Sequence, residues 1–343
     1  MDDDLPGHVR DFKLATEFRK RRQTVHFYND PDAPPSSESR SEFWRREKRP
    51  IGQGGQGKVY LQTCTHGGRH YTQRAVKVIP LQAVSGRRRY VGELETIIKF
   101  SHDKYSKYFV KSLGWYESDD SLFIAMEYFP MGDLQKYLDA HAPLPENDTC
   151  QIISQVLRGL SVMHEEGFAH RDIKPKNILI QQCPKTEEPS SWWIKLSDFG
   201  IIKRLGAVTT GASTVIGTLE YIAPERLRAD QKMLPDSNYP AVDMWAVGVM
   251  TFVMLTKSYP FPYYDSIVEY RRTPIKLFPH RLLGESHVSP DGQSFVYDLM
   301  KPEPNERPAS NEAIHHRWLC PYLPNAPIIS DSHSHLILWG ELV

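Results

Sequence analysis

The sequence predicts an α+β protein, strand-rich in its first part and helical beyond Gly132, and three observations carry that reading. Short runs of apolar and β-branched residues flank a glycine turn, helical spacing takes over downstream, and glycine-rich or polar segments punctuate the two regimes. Lys58 to Cys64 and His70 to Ile79 read as strands separated by the turn His66-Gly67-Gly68. Val91 to Phe100 places Leu94, Ile97 and Ile98 at helical spacing, so a helix is expected there. Ser121 to Tyr128 reads as a further strand and Asn147 to His164 as a helix. Met244 to Leu255 is the longest apolar run, too short to cross a bilayer and suited to a buried helix. Gln181 to Ser191 reads as a polar loop, and no internal repeat is present.

Composition narrows the class. Over 343 residues, 40% are hydrophobic and 24% charged, enough for a sizeable core. The 42 basic residues balance 42 acidic ones, so nothing global points to nucleic acid or an anionic membrane, and neither is expected as a partner. Cys64, Cys150, Cys183 and Cys320 lack C-x-x-C spacing and read as reduced, packed thiols. The start, Met1-Asp2-Asp3-Asp4, has neither the charge nor the apolar stretch of a signal peptide, and a cytoplasmic or nuclear protein is expected. Residues 1–42 are polar, with a basic run from Arg19 to Arg22 and a Pro/Ser patch from Pro31 to Ser41. They read as a flexible extension with at most one helix, and the basic run as a solvated face rather than a nuclear signal. Residues 322–343 read as a tail.

The first chemical motif is Gly52-Gln53-Gly54-Gly55-Gln56-Gly57-Lys58-Val59. Its glycines let backbone amides approach a phosphate chain with no Cβ in the way. Dinucleotide-binding folds share G-x-G-x-x-G, but there a helix follows at once, whereas here two strands follow. The second strand carries Arg74-Ala75-Val76-Lys77-Val78-Ile79, a lysine between apolar neighbours. Alone it would read as an exposed strand lysine; behind a glycine loop it reads as a phosphate-binding one. Glu93 and Glu95 on the next helix are candidates to hold it. Glu93 shares a face with Ile97 and is the better choice, while Glu95 reads as a solvated charge.

His170-Arg171-Asp172-Ile173-Lys174-Pro175-Lys176-Asn177, then Asp198-Phe199-Gly200, then Ala223-Pro224-Glu225 follow in order. Each short motif alone is chance-level. Together, behind the glycine loop and its lysine, they resemble the eukaryotic protein-kinase family of serine/threonine type, over about residues 43–321. The style is loosely that of calcium/calmodulin-dependent and checkpoint kinases, with the subfamily open. The resemblance implies a bilobal fold: a small antiparallel β-sheet lobe with one main helix (about 43–126), a hinge (127–131) and a larger, mostly helical lobe (132–321).

The resemblance also implies roles. Asp172 would orient the acceptor hydroxyl and take its proton, Lys174 would stand near the γ-phosphate, and Lys77, held by Glu93, would bind the α- and β-phosphates of ATP. Asn177 and Asp198 would supply oxygen ligands to Mg²⁺. Ile51, Gly52, Gly54, Gly57, Val59, Ala75, Met126 and Leu179 would line the nucleotide site. Backbone groups of Glu127, Tyr128 and Phe129 would meet adenine, and Asp133 the ribose. Core packing explains the apolar members of that set equally well.

Lys174 and Thr218 fit the serine/threonine pattern, so proteins with Ser/Thr acceptors are the expected substrates. Asp243-Met244-Trp245-Ala246-Val247-Gly248 resembles the start of the large lobe's central helix, and Arg307 matches the partner of Glu225. Thr214 in Thr214-Val215-Ile216-Gly217-Thr218 matches an activating phosphosite that an upstream kinase would modify, with Ser213, Thr209 and Thr210 as rivals, and with Arg171 and Lys203 as the expected phosphate pocket. Two features depart from the pattern. Lys176 stands where kinases that prefer arginine before the target carry glutamate, and Gly55 is an extra glycine in the loop. An ATP-binding pseudokinase acting as a scaffold is the alternative of another class, although Lys77, Asp172, Asn177 and Asp198 are all present. A small-molecule kinase would have no use for the Ala223-Pro224-Glu225 segment.

Overall fold

In this computed structural model, residues 5–28, 40–54, 57–68, 70–81, 87–184, 191–198, 203–204, 219–227 and 238–319 are described. The first strands are β1 (Ala15–Arg19), β2 (Gln23–Tyr28), β3 (Arg40–Arg46), β4 (Gly52–Gly54), β5 (Gly57–His66) and β6 (Gln73–Pro80). They are followed by β7 (Ser112–Glu117) and β8 (Ser121–Met126). Two helices belong to this half, α1 (Gly7–Asp11) and α2 (Arg87–Phe100). The strands form one antiparallel sheet in the order β1-β2-β3-β5-β6-β8-β7, with β4 folded onto β5.

The segment expected as a flexible extension is folded into this sheet. β1 and β2 make a hairpin in register from Ala15 opposite Phe27 to Arg19 opposite Gln23, and β2 pairs β3 along its length. Just before β1, the Leu14 N–H donates to the Trp115 carbonyl at 2.7 Å and the Trp115 N–H to the Phe12 carbonyl at 3.1 Å. Residues 12–14 thus bridge to the β7 edge at Trp115, whose backbone N–H and carbonyl find partners there instead of facing solvent. Gly114 makes the junction possible. Its φ is +108°, and a Cβ there would stand 2.7 Å from the Leu14 side chain. Leu5 and Val9 are buried beside α2, and the Trp115 indole N–H donates to the Val9 carbonyl at 2.8 Å.

The sequence reading missed this because, Val25 and Trp44 aside, the positions buried between the hairpin and its neighbouring strands are polar. Thr24, His26, Gln62 and Arg74 are all below 6% exposed. Burial of such groups is tolerated only when they are hydrogen-bonded. Arg74 Nη2 donates to His26 Nε2 at 2.5 Å, which leaves Nδ1–H to donate to Thr16 Oγ1 at 2.8 Å. Thr16 passes its own proton to the Leu14 carbonyl at 2.8 Å. Arg74 Nε donates to Gln62 Oε1 at 2.8 Å, and the guanidinium lies 4.0 Å from the Trp44 ring centroid.

The large lobe is helical: α3 (Leu134–Ala140), α4 (Glu146–Glu165), α5 (Tyr239–Thr256), α6 (Tyr264–Arg272), α7 (Pro274–Leu277), α8 (His280–Glu285), α9 (Pro290–Leu299) and α10 (Ser310–Ala313). Short strands β9 (Phe168–Ala169), β10 (Ile178–Gln182), β11 (Trp193–Leu196) and β12 (Lys203–Arg204) run beneath the cleft, β10 pairing β11 and β9 pairing β12. α5 contains the long apolar run. As the one described helix long and apolar enough to cross a membrane it has 83% of that stretch buried inside the fold, as expected of a core helix. It packs against α4, α8 and α9. Phe100 at the end of α2 meets Phe168 edge-on at 5.5 Å, joining the two halves.

The His26 network sets a pH dependence. Burial first, then the neighbouring Arg74 charge, lowers the His26 pKa from 6.5 to about 3. Between these values the unfolded chain binds the proton and the folded chain does not, so stability falls as pH drops below 6.5, by up to about 1.4 kcal/mol per pH unit. Between pH 7 and pH 5 the native chain should lose about 2 kcal/mol more than the His26→Gln variant in urea unfolding. Parallel pH profiles would show that His26 carries no such linkage.

Candidate active site

The glycine loop enters the cleft from β4 and leaves on β5. Gly52 faces Val59 and Gly54 faces Gly57 across the two strands. Gly57, at φ +155°, cannot be another residue without strain, because a Cβ would lie 2.2 Å from the Val78 carbonyl oxygen. Ile51, 37% exposed, sits at the mouth just before β4. Gly55 and Gln56 lie outside the described residues. Register then fixes the roof: Val59 lies opposite Lys77 on β6, and Ala75 opposite Met126 at the end of β8. Alternation carries Lys77 away from buried Val76.

Lys77 Nζ donates to Asp198 Oδ1 at 2.5 Å, with 38% of the Asp198 side chain exposed. Packing in the cleft pushes the Asp198 carboxyl up, but the Lys77 charge and hydrogen bond, with His170 and Lys174 behind them, hold it below the usual carboxylate range. Asp198 itself adopts φ +61°, an unfavourable conformation for a side-chain-bearing residue and one that marks functional sites. Glu93 sits in α2, but its side chain lies outside the described residues, as do Phe199 and Gly200.

The opposite wall is the loop after β9. Asp172, 8% exposed, is gripped from two sides. Lys174 Nζ donates to Oδ1 at 2.8 Å, and Asn177 Nδ2 donates to Oδ2 at 2.9 Å and to the Asp172 carbonyl at 2.7 Å. With Nδ2 committed, the Asn177 amide turns its oxygen to the other side. The loop is hung from α5: Asp243, fully buried, accepts the His170 N–H at 2.8 Å and the Arg171 N–H at 2.6 Å, and contacts His164 Nε2 at 3.0 Å. Arg171 takes φ +66° and places its guanidinium 3.3 Å from the Tyr239 ring centroid.

The hinge is specific in what it leaves open. The Glu127 N–H donates to the Lys111 carbonyl at 3.1 Å, and the Phe129 carbonyl accepts the Gly132 N–H at 3.0 Å. The Glu127 carbonyl, the Phe129 N–H and both backbone groups of Tyr128 are thus left without a backbone partner among the described residues. The Glu127 side chain faces away, paired with Lys195 at 2.7 Å and accepting the Lys111 N–H at 2.8 Å. Asp133 caps α3, taking the Lys136 N–H at 2.9 Å, and forms a bridge with Leu179 on β10. Lys136 Nζ then reaches 3.2 Å to Asp133 and 3.2 Å to the Ile51 carbonyl, spanning the mouth of the cleft. The sequence reading missed Lys136 and Lys195; the three-residue spacing from Asp133 was the only local signal for the former.

Beside the site, Arg307 spends all five donors. It grips Glu225 through two bonds of 2.8 Å and donates to the carbonyls of Lys301, Ala241 and Pro302 at 2.7 to 3.0 Å. The Lys203 side chain, Thr209, Thr210, Ser213, Thr214 and Thr218 lie outside the described residues.

This arrangement is that of a protein kinase, and the comparisons agree. The protein kinase domain family model matches residues 45–319, and the chain belongs to that family. It is 30% identical over 270 residues to the serine/threonine-protein kinase cds1 of Schizosaccharomyces pombe, covering 79% of this chain and 57% of that one. It is 32% identical to the serine/threonine-protein kinase RAD53 of Saccharomyces cerevisiae over 71% of this chain and 30% of the relative. To the calcium/calmodulin-dependent protein kinase cmkA of Emericella nidulans it is 30% identical, over 86% of this chain and 66% of the relative. The chain thus spans between about a third and two thirds of these relatives. A crystal structure of Rad53 residues 1–466 in complex with AMP-PNP superposes with a TM-score of 0.64 at 27% identity, covering 80% of this chain and 65% of that one. The fold is therefore the bilobal kinase fold.

Losing Arg307 should be costly, because it strands a buried carboxylate. Arg307→Met should destabilise the chain by about 3–5 kcal/mol. Chemical denaturation checks this, and a loss below about 1 kcal/mol would show that Glu225 finds another partner.

Proposed function

We propose that this chain is a serine/threonine protein kinase that transfers the γ-phosphate of ATP to hydroxyls of protein substrates. The observation that carries the reading is the Asp172–Lys174–Asn177 cluster facing the Lys77–Asp198 pair across one cleft. Phosphoryl transfer needs positioning and charge neutralisation more than covalent chemistry, and the cleft is built for both. Asp172 is the acceptor of the substrate hydroxyl's proton, oriented by its two neighbours. Lys174 is placed to neutralise charge on the moving phosphoryl group. Lys77 takes the α- and β-phosphates, with Glu93 as its second carboxylate.

The donor set fits a hard divalent ion, since the Asp198 carboxylate and the Asn177 amide oxygen are both oxygen ligands. Held by Asp198 and Asn177, Mg²⁺ would supply positive charge to offset that of the phosphates. The Glu127 carbonyl and Phe129 N–H pair the adenine edge between Val59, Ala75, Met126 and Leu179, and Asp133 meets the ribose. Phosphorylation of Thr214 by an upstream kinase would activate the chain, in the cytoplasm or nucleus.

Asp172→Asn keeps the shape and removes the base. Transfer of phosphate from ATP and Mg²⁺ to a degenerate Ser/Thr/Tyr peptide library should label Ser and Thr peptides with the native chain. It should fall about 10²–10⁴-fold in the variant. A chain phosphorylated at Thr214 that binds ATP but labels nothing would overturn the enzyme in favour of a pseudokinase scaffold.

Substrate choice follows from charge at the mouth of the cleft. Lys176 is exposed in the short turn Pro175–Asn177, against which α3 packs, and the nearby Asp133 is already engaged by Lys136 and its helix cap. That balance disfavours basic residues before the acceptor. A peptide array should show no arginine enrichment there, and Lys176→Glu should create one. Strong arginine preference in the native chain would refute the assignment.

A further inference from the structure

The chain has no net charge, yet one face of the small lobe is strongly basic. Two segments distant in sequence build it. The turn between β1 and β2 supplies Arg19, Lys20, Arg21 and Arg22; the end of β3 and the residues after it supply Arg45, Arg46, Lys48 and Arg49. Register brings them together, since Gln23 lies opposite Arg19 on one side and Arg45 on the other. Glu17 and Glu47 are the acidic residues within these segments, and Glu17 is spent on Arg19 at 2.9 Å. None of the other seven cations forms an ion pair among the described residues.

The turn itself shows that the charge is not incidental. Arg21 and Arg22 both take positive φ, +62° and +64°. That region favours glycine or asparagine and is unfavourable for a residue with a side chain. A tight turn that needed only to reverse the chain would be more stable with glycine at both sites. Two arginines are kept where the backbone disfavours them. The two central positions of the turn therefore sacrifice local stability for exposed guanidinium groups.

The chemistry of the face distinguishes among polyanions. Six of its eight cations are arginines, whose planar fork matches carboxylate and phosphate oxygens two at a time. Single-stranded nucleic acid is held by bases stacked on open aromatic rings. On this face the rings are covered, Arg19 lying over Phe43 at 5.2 Å and Arg46 over Tyr60 at 4.6 Å, while the exposed Phe18 turns to the opposite side against Tyr116 and Phe123. An anionic membrane would want apolar side chains projecting among the cations. None of residues 19–22 or 45–49 is apolar. Stacking also restrains two of the guanidinium groups before any partner arrives, which lowers the ordering cost of binding.

We propose that this face docks a phosphorylated, acidic segment of a partner protein, away from the phosphotransfer cleft. The site is independent of catalysis, and its test is a binding measurement on the full chain. The probe is a fluorescent peptide of alternating phosphoserine and glutamate at near-physiological salt. An unphosphorylated Ser/Glu peptide, a single-stranded oligonucleotide and phosphatidylserine vesicles serve as comparisons. Two variants separate the turn from the strand end: Arg21→Gly with Arg22→Gly, and Arg45→Glu with Arg49→Glu.

The phosphopeptide should bind the native chain, and each variant should weaken it about ten-fold or more. The glycine variant should melt no lower than the native chain, because the substitutions relieve strain. Both variants should phosphorylate a short neutral peptide at the native rate. The proposal is overturned if the phosphopeptide does not bind or binds no better than the unphosphorylated one. It is also overturned if the oligonucleotide or vesicles bind at least as tightly, or if neither variant changes affinity. A glycine variant that melts several degrees lower would assign the arginines to the fold instead.

Discussion

The interaction on which the rest depends is the buried carboxylate of Asp243. It sits fully enclosed on α5, the apolar helix around which the large lobe packs, and accepts two backbone N–H groups from His170 and Arg171. A carboxylate in such surroundings is tolerable only because those donors, with His164, replace the water it lost. The consequence runs outward. The peptide groups before Asp172 are fixed by the core, so the Asp172 side chain inherits the rigidity of α5, and Lys174 and Asn177 complete its orientation. The positive φ of Arg171 is held from the same anchor, with the Tyr239 ring of α5 beneath its guanidinium. The cleft's floor is thus an extension of the hydrophobic core, which is how a loop can place a carboxylate accurately.

Much of this was legible in the sequence because phosphoryl transfer demands particular residue types at particular separations. The glycine loop, Lys77, the segment from His170 to Asn177, and Asp198 each name a chemical task, and the fold brings Asp172, Lys174 and Asn177 into one hydrogen-bonded group. Strand and helix periodicity located β5, β6, α2, α4 and α5 within a few residues. The dual use of Glu127 was not legible. Its carboxylate turns from the cleft to Lys195 while its carbonyl stays in the hinge, and only the register of β11 reveals that partner. Lys136 was missed for a similar reason, since its reach to the Ile51 carbonyl crosses the cleft between residues far apart in the chain.

The N-terminal segment was misread for a deeper reason. Pattern reading equates polar with exposed, and in β2 that equation fails at Thr24 and His26. The burial of His26 is stabilised by partners on other strands, chiefly Arg74, itself 1% exposed although its formal charge would place it at the surface. No local window contains both halves of that network. The one signal available was the alternation in Gln23 to Tyr28, and the basic run beside it pulled the reading toward a solvated tail. The backbone strain at Arg21 and Arg22 belongs to the same hairpin, so the feature that disguised this strand pair is the one that gives it a surface chemistry of its own.

The family's boundary and the physical boundary of the small lobe therefore differ. The kinase family model begins at residue 45, near the end of β3. Starting the fold there would remove the hairpin whose His26 satisfies Arg74 and whose neighbouring residues 12–14 seal the sheet against β7. Arg74 would lose a neutral acceptor and β5 most of its β3 partner, while Trp115 would lose the Val9 carbonyl. Each is a buried donor or an opened edge, the two conditions that β-sheet proteins tolerate least. Because Leu5 and Val9 pack beside α2, the same loss would loosen the helix that carries Glu93. Residues 5–28 thus pack as part of the small lobe, connecting α2 to a segment that lies outside the residues the kinase family model matches.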